Sequence, residues 1–127
     1  MRQGYPPTAE SCAQVRRDLT AFLDGWGVDD ATVESSVMVA NELACNAVDH
    51  ARTPFHMVAT LTPGSVRIEL TDGAATEPQL QVHDVHAARG RGLQMVAALA
   101  SAWTFHRHGT GKTVVADIAV DHPVGYR

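Results

Sequence analysis

The sequence predicts an α+β fold in which helices cover one face of a mostly antiparallel sheet. Two helical patterns come first, two pairs of strands are each joined by a tight turn, and a third helical pattern separates the pairs. Strands that follow one another through hairpins pair antiparallel, and the helices must bury their apolar stripes against the resulting sheet. The expected architecture is therefore a two-layer α/β sandwich.

Length and composition indicate an ordinary globular chain. The 127 residues suit a single domain, residues 1–127, with 45% hydrophobic and 19% charged residues and a net charge of -4. Because the Lys and Arg residues are scattered, we expect no nucleic-acid partner. No stretch reaches the roughly 18 apolar residues of a membrane span, and the start lacks the apolar run of a signal peptide. We expect a cytoplasmic protein that does not enter a membrane.

Two helices are predicted in the first half of the chain. Apolar residues recur at near-helical spacing over residues 8–25, after which a pair of glycines ends the pattern. The second helix is predicted over residues 31–51, with Asp29 or Asp30 as its N-cap and Pro54 beyond its end.

Alternating strands and one more helix follow. "HMVATLT" and "SVRIELTD" flank a Pro63-Gly64 turn and predict a hairpin with one buried face. Residues 73–89 show no period and are predicted to form a long loop. "GRGLQMVAALASAW" then opens a helix with glycines, and two more strands are predicted over residues 103–107 and 112–119.

The second helix carries a row of polar side chains. Positions four apart on a helix advance by only about 40°, so Glu42, Asn46 and His50 should share one side of it. The stripe beside the row is made of small apolar residues, which allow close packing on a sheet. The row either belongs to a solvated polar face or forms one wall of a cleft at the margin of the core.

Two other places suggest ligand contacts. Asp72 ends a strand and is followed at once by Gly73, which is typical of a turn or of a carboxylate acceptor that an exocyclic amine could reach. "RGRGL", residues 89 to 93, is either a plain loop-to-helix junction or a phosphate site. A helix start offers backbone N–H groups to an anion, and Arg89 and Arg91 would add charge.

Two other patterns do not qualify as sites. "GTGKT" lacks a P-loop's first glycine, because His106 stands five residues before Gly111, and the segment joins two strands. The histidines 83, 86, 106 and 108 lack the supporting cysteines or second spaced pair of a zinc site.

Four segments together resemble a known superfamily. In order, "NELACNAVDHA", "IELTDG", "GRGLQMV" and "GTGKTVVADI" resemble the N, G1, G2 and G3 boxes of the GHKL, or histidine-kinase-like, ATPases and kinases. The short chain, the "GRGL" form and the closing "GKTVVADI" look most like the anti-sigma-factor serine/threonine kinase branch. The resemblance covers essentially the whole chain.

The resemblance implies roles for the polar row. Glu42 would be the general base, Asn46 would coordinate a Mg²⁺ ion that bridges the nucleotide phosphates, and His50 would have a supporting or phosphate-side role. An amide oxygen suits Mg²⁺, which prefers oxygen ligands and keeps several waters.

The resemblance also implies an ATP pocket. Asp72 would accept the adenine amine, Gly73 would line the base pocket, Thr113 would lie near the adenine, and residues 74 to 89 would form a lid. The phosphates would be bound at the G2 box, by Arg89, Gly90, Arg91, Gly92 and Leu93.

The implied function is that of an ATP-binding serine/threonine kinase. It would phosphorylate an anti-anti-sigma-type protein and could sequester a sigma factor. The alternative is a non-catalytic nucleotide-binding or partner-binding module. An ATPase working alone is disfavoured, because larger GHKL ATPases use an additional domain for which this chain has no room.

The chain departs from the family pattern in two places. The G1 box is commonly D-x-G-x-G, but here Gly73 stands one place early and the second glycine is missing, which bears on nucleotide affinity. The family's first strand is missing or reduced to "QGYPP". An exposed sheet edge could result, and because sheet edges invite pairing with another chain, homodimerisation is a hypothesis.

Overall fold

A computed structural model describes residues 1–74 and 92–120, with the backbone alone described for Gly92 and Leu93. The elements in chain order are β1 (Arg2–Tyr5), α1 (Ala9–Gly25), α2 (Asp30–Asn46), a π-helical segment (Ala47–Ala51), β2 (Phe55–Leu61), β3 (Ser65–Asp72), α3 (Gly92–Leu99), β4 (Ala102–His108) and β5 (Gly111–Ala119). Among these residues, no helix is long and apolar enough to cross a membrane.

The strands form one antiparallel sheet in the order β1-β2-β3-β5-β4. Both predicted hairpins are present, β2 with β3 and β4 with β5, and β3 lies beside β5 at the centre. The predicted α+β class, an antiparallel sheet packed with helices, is confirmed.

Alternation along the strands separates the two faces of the sheet. In β3 and β5 every second residue is buried, and directly paired residues share a face. The apolar residues of the helix-facing side are Phe55, Met57, Ala59, Val66, Ile68, Leu70, Val114, Ala116 and Ile118. The opposite face is mostly polar and carries the ion pair of Arg67 with Asp117, 2.8 Å apart. The core therefore lies between the sheet and the helices.

Helix α2 is the central helix of that layer, since it packs against α1, α3, β3 and β5. Fully buried Val39 and Leu43 contribute to the core from α2, as Leu19 and Leu23 do from α1. Burial of one such side chain stabilises the fold by about 1.5–3 kcal/mol. Between α1 and α2 the buried thiols of Cys12 and Cys45 lie with their Sγ atoms 3.3 Å apart and form no disulfide.

The first strand, which was predicted from the sequence to be missing or reduced, is present as β1. β1 pairs antiparallel with β2, with Tyr5 opposite Phe55 and their rings stacked at 5.3 Å. The Tyr5 hydroxyl donates to Asp18 Oδ2 on α1 at 2.7 Å, and burial, followed by this carboxylate, raises the pKa of Tyr5. β1 thus covers the edge of β2 from which we predicted a homodimer. The homodimer stays a prediction. The missing first strand that suggested it is present, so the edge of β2 is not exposed.

The second helix begins and ends close to the predicted residues. Asp29 is its N-cap and accepts the Thr32 backbone N–H at 3.0 Å. The helix continues to Ala51, but its last five residues are π-helical, and the Arg52 N–H bonds to the Ala47 carbonyl. Such π-helical turns occur frequently at functional sites.

Arg52 ends this helix in the left-handed region, with φ 55°. A residue with a Cβ is strained there, whereas glycine is not. We expect Arg52→Gly to be more stable than Arg52→Ala by about 1 kcal/mol, because both variants lose the same side chain and only one keeps a Cβ. Urea denaturation of both variants measures the difference. Equal stabilities would show that the left-handed conformation costs nothing here.

Candidate functional site

A buried ion pair lies at the end of β3. Asp72 and Lys112 are directly paired across β3 and β5, and each is only 6% exposed. Lys112 Nζ is 2.9 Å from Asp72 Oδ2 and 3.2 Å from Oδ1. Breaking a buried pair by removing one partner is strongly destabilising, because a buried charge is left behind. The pair therefore fixes both side chains on the helix-facing side of the sheet.

Glu42 and Asn46 lie on the last two turns of α2. Both are half buried, and the Oε2 atom of Glu42 lies in the interior. Asn41, the neighbour of Glu42, has a different role, because its Oδ1 accepts from Arg16 Nη1 at 2.6 Å and so ties α2 to α1. The predicted separation of one turn between Glu42 and Asn46 lies within the α-helical part of α2.

The end of this helix and the end of β3 lie at the same end of the molecule. Three residues connect the π-helical segment to Phe55, which pairs with Asp72. The Thr53 hydroxyl in that connection accepts the Gly73 N–H at 2.8 Å. Asn46 is the last α-helical residue before this end. The structure thus brings the N-box end of α2 to the end of the sheet where Asp72 and Gly73 lie.

The backbone after Asp72 is fastened to the ion pair. The Ala74 N–H donates to Asp72 Oδ1 at 2.9 Å, and the Ala74 carbonyl accepts from Lys112 Nζ at 3.2 Å. A Cβ on Gly73 would lie 3.2 Å from the Thr53 side chain, so this glycine allows a close approach. A carboxylate, an ammonium and a constrained backbone turn therefore meet in one small region.

Thr113 lies on the other face of the sheet. It is opposite Thr71, and the two hydroxyls are 2.8 Å apart, while His108 Nε2 is also 2.8 Å from Thr113 Oγ1. The place of Thr113 beside an adenine stays a prediction, and the side chains of Thr113 and Asp72 lie on opposite faces of the sheet. The G3-box side chain that lies beside Asp72 is Lys112.

His50 lies in the π-helical segment and is exposed. The predicted row assumed α-helical spacing throughout, which relates Glu42 to Asn46 but not Asn46 to His50. A π-helix has more residues per turn, since each bond spans five residues, so His50 is rotated differently from Asn46 than the row required. The structure brings together two members of the row in the predicted way.

Much of the predicted phosphate site lies outside the described residues. Arg89, Gly90, Arg91 and nearly all of the proposed lid belong to residues 75–91. Gly92 and Leu93 open α3, so their backbone N–H groups belong to the first turn, where a helix leaves donors for a ligand.

Sequence reasoning missed two contacts of the site. It treated Lys112 only as the start of a strand, although its alternation with Val114, Ala116 and Ile118 places it on the buried face. A lysine at such a position requires a partner, and Asp72 at the end of another strand was the available carboxylate. Nothing in the local sequence indicated that Thr53 would bind the backbone of Gly73, 20 residues later.

Comparison with known protein families assigns the chain to one of them. The profile described as "Histidine kinase-like ATPase domain" matches residues 5–118, which is most of the sequence. The chain belongs to this family of histidine-kinase-like ATPase domains, and membership implies an ATP-binding domain. No curated protein matches it.

A solved structure has the same fold. It is the crystal structure of the RsbU and RsbW domains of Rv1364c from Mycobacterium tuberculosis. This chain is similar to it with a TM-score of 0.73 and 20% sequence identity. The match covers 98% of this chain but only 32% of that one. At this identity the likeness establishes the fold.

Gly111 lies where β5 approaches the end of β3. A Cβ on Gly111 would overlap the Asp72 carbonyl oxygen, which is backbone and cannot rotate away. We expect Gly111→Ala to lower the free energy of unfolding by about 1–3 kcal/mol, as overpacking does. Gly64→Ala is the control, because nothing lies within 4 Å of a Cβ there. Urea denaturation that finds both variants equally stable would contradict the close approach.

Proposed function

We propose that this domain is an ATP-dependent serine/threonine kinase of the anti-sigma-factor type. Its substrate would be a serine or threonine of an anti-anti-sigma-type regulatory protein, and it would also sequester a sigma factor. The proposal is supported by membership in the histidine-kinase-like family and by the solved RsbW-domain neighbour. The observation that carries it is the placement of Asp72 at the same end of the molecule as Glu42 and Asn46.

In this proposal each residue has a chemical task. The Asp72 carboxylate accepts the amine of the base, and Glu42 accepts the proton of the attacking hydroxyl. Phosphoryl transfer depends on positioning and charge neutralisation more than on covalent chemistry, so a few fixed polar groups are sufficient.

A magnesium ion fits the donor chemistry at the end of α2. Asn46 is half buried and carries an amide oxygen, a ligand type that Mg²⁺ accepts beside phosphate oxygens and water. Asn46 would hold the ion, and the ion would neutralise charge on the phosphates when bound.

A second function is favoured by one specific observation. Lys112 already binds both oxygens of Asp72, and the G1 box lacks its second glycine. If the lysine closes the base pocket, the domain would bind a partner protein without nucleotide. Nucleotide binding separates the two functions.

ATP with Mg²⁺ should stabilise the domain against thermal unfolding. A ligand that binds only the native state adds about 2.7 kcal/mol at a hundredfold excess over Kd, which raises Tm by several degrees. We expect Asn46→Ala to lose the part of this shift that depends on Mg²⁺. The measurement is a thermal denaturation series with and without the ion.

Asn41→Ala is the matched control for that experiment. This variant removes an asparagine from the same helix, but one that contacts Arg16 of α1. It should unfold at a lower temperature than the parental domain and keep the full ATP-dependent shift. Absence of any shift in the parental domain up to millimolar ATP would favour the partner-binding function.

Glu42→Gln should separate phosphoryl transfer from binding. The substitution keeps the size of the side chain but removes the base, so we expect transfer to fall by about 10²–10⁴-fold while the Kd for ATP changes little. Transfer of labelled phosphate to purified anti-anti-sigma-type proteins of the same organism measures the first quantity, and titration calorimetry measures the second. Transfer at the parental rate would rule out Glu42 as the base.

A further inference from the structure

Lys112 is a buried cation that none of the proposed catalytic steps uses. Its Nζ contacts three acceptors: Asp72 Oδ2 at 2.9 Å, Asp72 Oδ1 at 3.2 Å and the Ala74 carbonyl at 3.2 Å. An ammonium group has three N–H donors, so these contacts account for all of them. Lys112 is therefore held in one position.

The same contacts determine how many further hydrogen bonds the Asp72 carboxylate can accept. A carboxylate accepts about four hydrogen bonds, two on each oxygen. Oδ1 accepts from the Ala74 N–H and from Lys112, whereas Oδ2 accepts from Lys112. Within the described residues, one acceptor site of Oδ2 is left, and the lysine compensates the negative charge of the group.

We propose that Lys112 is a positioning residue for base recognition, which holds the Asp72 carboxylate so that Oδ2 keeps one acceptor site for the 6-amino group of a purine. This inference rests on the proposed function, because it assumes that a nucleotide base reaches Asp72. It goes further by assigning base selectivity to the ion pair. It also explains why the G3-box residue beside Asp72 is a lysine.

The consequence for selectivity follows from hydrogen-bond chemistry. An ionised carboxylate only accepts, so one that is held facing the 6-position favours the amino group of adenine and repels the 6-oxo group of hypoxanthine or guanine, whereas a carboxylate free to turn could accept the N1–H of those bases. A buried carboxyl group without its ammonium tends to be neutral, and the neutral form carries an O–H that can donate to a 6-oxo group. Loss of Lys112 should therefore erase the preference between the two kinds of purine.

The test compares ATP with inosine triphosphate, whose base carries a 6-oxo group in place of the 6-amino group and, with it, a proton on N1. Titration calorimetry with Mg²⁺ gives the ratio of the two dissociation constants for the parental domain and for Lys112→Met. We expect the parental domain to bind ATP at least tenfold more tightly, and the variant to bind the two nucleotides within about threefold of each other. Lys112→Arg, which keeps the charge, should restore most of the preference.

A purely structural role of Lys112 would change both dissociation constants but not their ratio. If Lys112 only stabilised the fold, Lys112→Met would weaken both nucleotides equally and leave their ratio unchanged, which overturns the inference. Lys112→Gln, which keeps N–H donors but lacks the charge, serves the same test where the methionine variant does not fold. In this variant the dissociation constants for ATP and inosine triphosphate should also become nearly equal. A ratio unchanged from that of the parental domain overturns the inference as well.

The outcome also distinguishes this inference from the function on which it rests. Binding of neither nucleotide by the folded parental domain overturns the proposed function and the role of Lys112 with it. Binding of ATP and inosine triphosphate with equal affinity by the parental domain overturns the role of Lys112 alone.

Discussion

A charged side chain buried at the end of a strand needs a partner, and the pairing of β3 with β5 supplies it. Asp72 lies directly opposite Lys112, so the ion pair is correct only in this register. A slip by one residue would turn Lys112 to the polar face and leave Asp72 opposite Gly111 or Thr113. The ion pair and the apolar alternation of both strands therefore specify the same register. Since β2 pairs with β3 and β4 with β5, the order of the sheet depends on this central pair.

The parts of the fold that could be predicted from the sequence are those with a local periodic pattern of apolar residues. β3 follows the predicted segment "SVRIELTD" residue for residue, because its alternation and the Pro63-Gly64 turn are both local signals. β1 could not be predicted in this way. Its four residues carry no alternation, and it is held by distant contacts of Tyr5 with Asp18 and Phe55. The π-helical end of the second helix also has no local signal that we can identify.

In the candidate site, too, the local contacts could be predicted from the sequence and the long-range contacts could not. Glu42 and Asn46 could be paired from the sequence because four positions on an α-helix are a local distance. The contact of Asp72 with Lys112 spans 40 residues and that of Thr53 with Gly73 spans 20, so only the assembled sheet brings these groups together. Thr113 was assigned to the base pocket from its place in a family motif. Strand alternation places its side chain on the face of the sheet opposite that of Asp72, and its contact with a base stays a prediction.

The departure of the G1 box has a structural counterpart in Lys112. Glycines after the aspartate allow the backbone of such a box to come close to a ligand, and here only Gly73 is present. The turn is nevertheless constrained, since Thr53 binds the Gly73 N–H and the ion pair binds both the N–H and the carbonyl of Ala74. A turn with less backbone freedom can present the same acceptor if side chains hold it in place. The missing glycine and the buried lysine are therefore best understood together, as two features of one constrained turn at which we propose that the base binds.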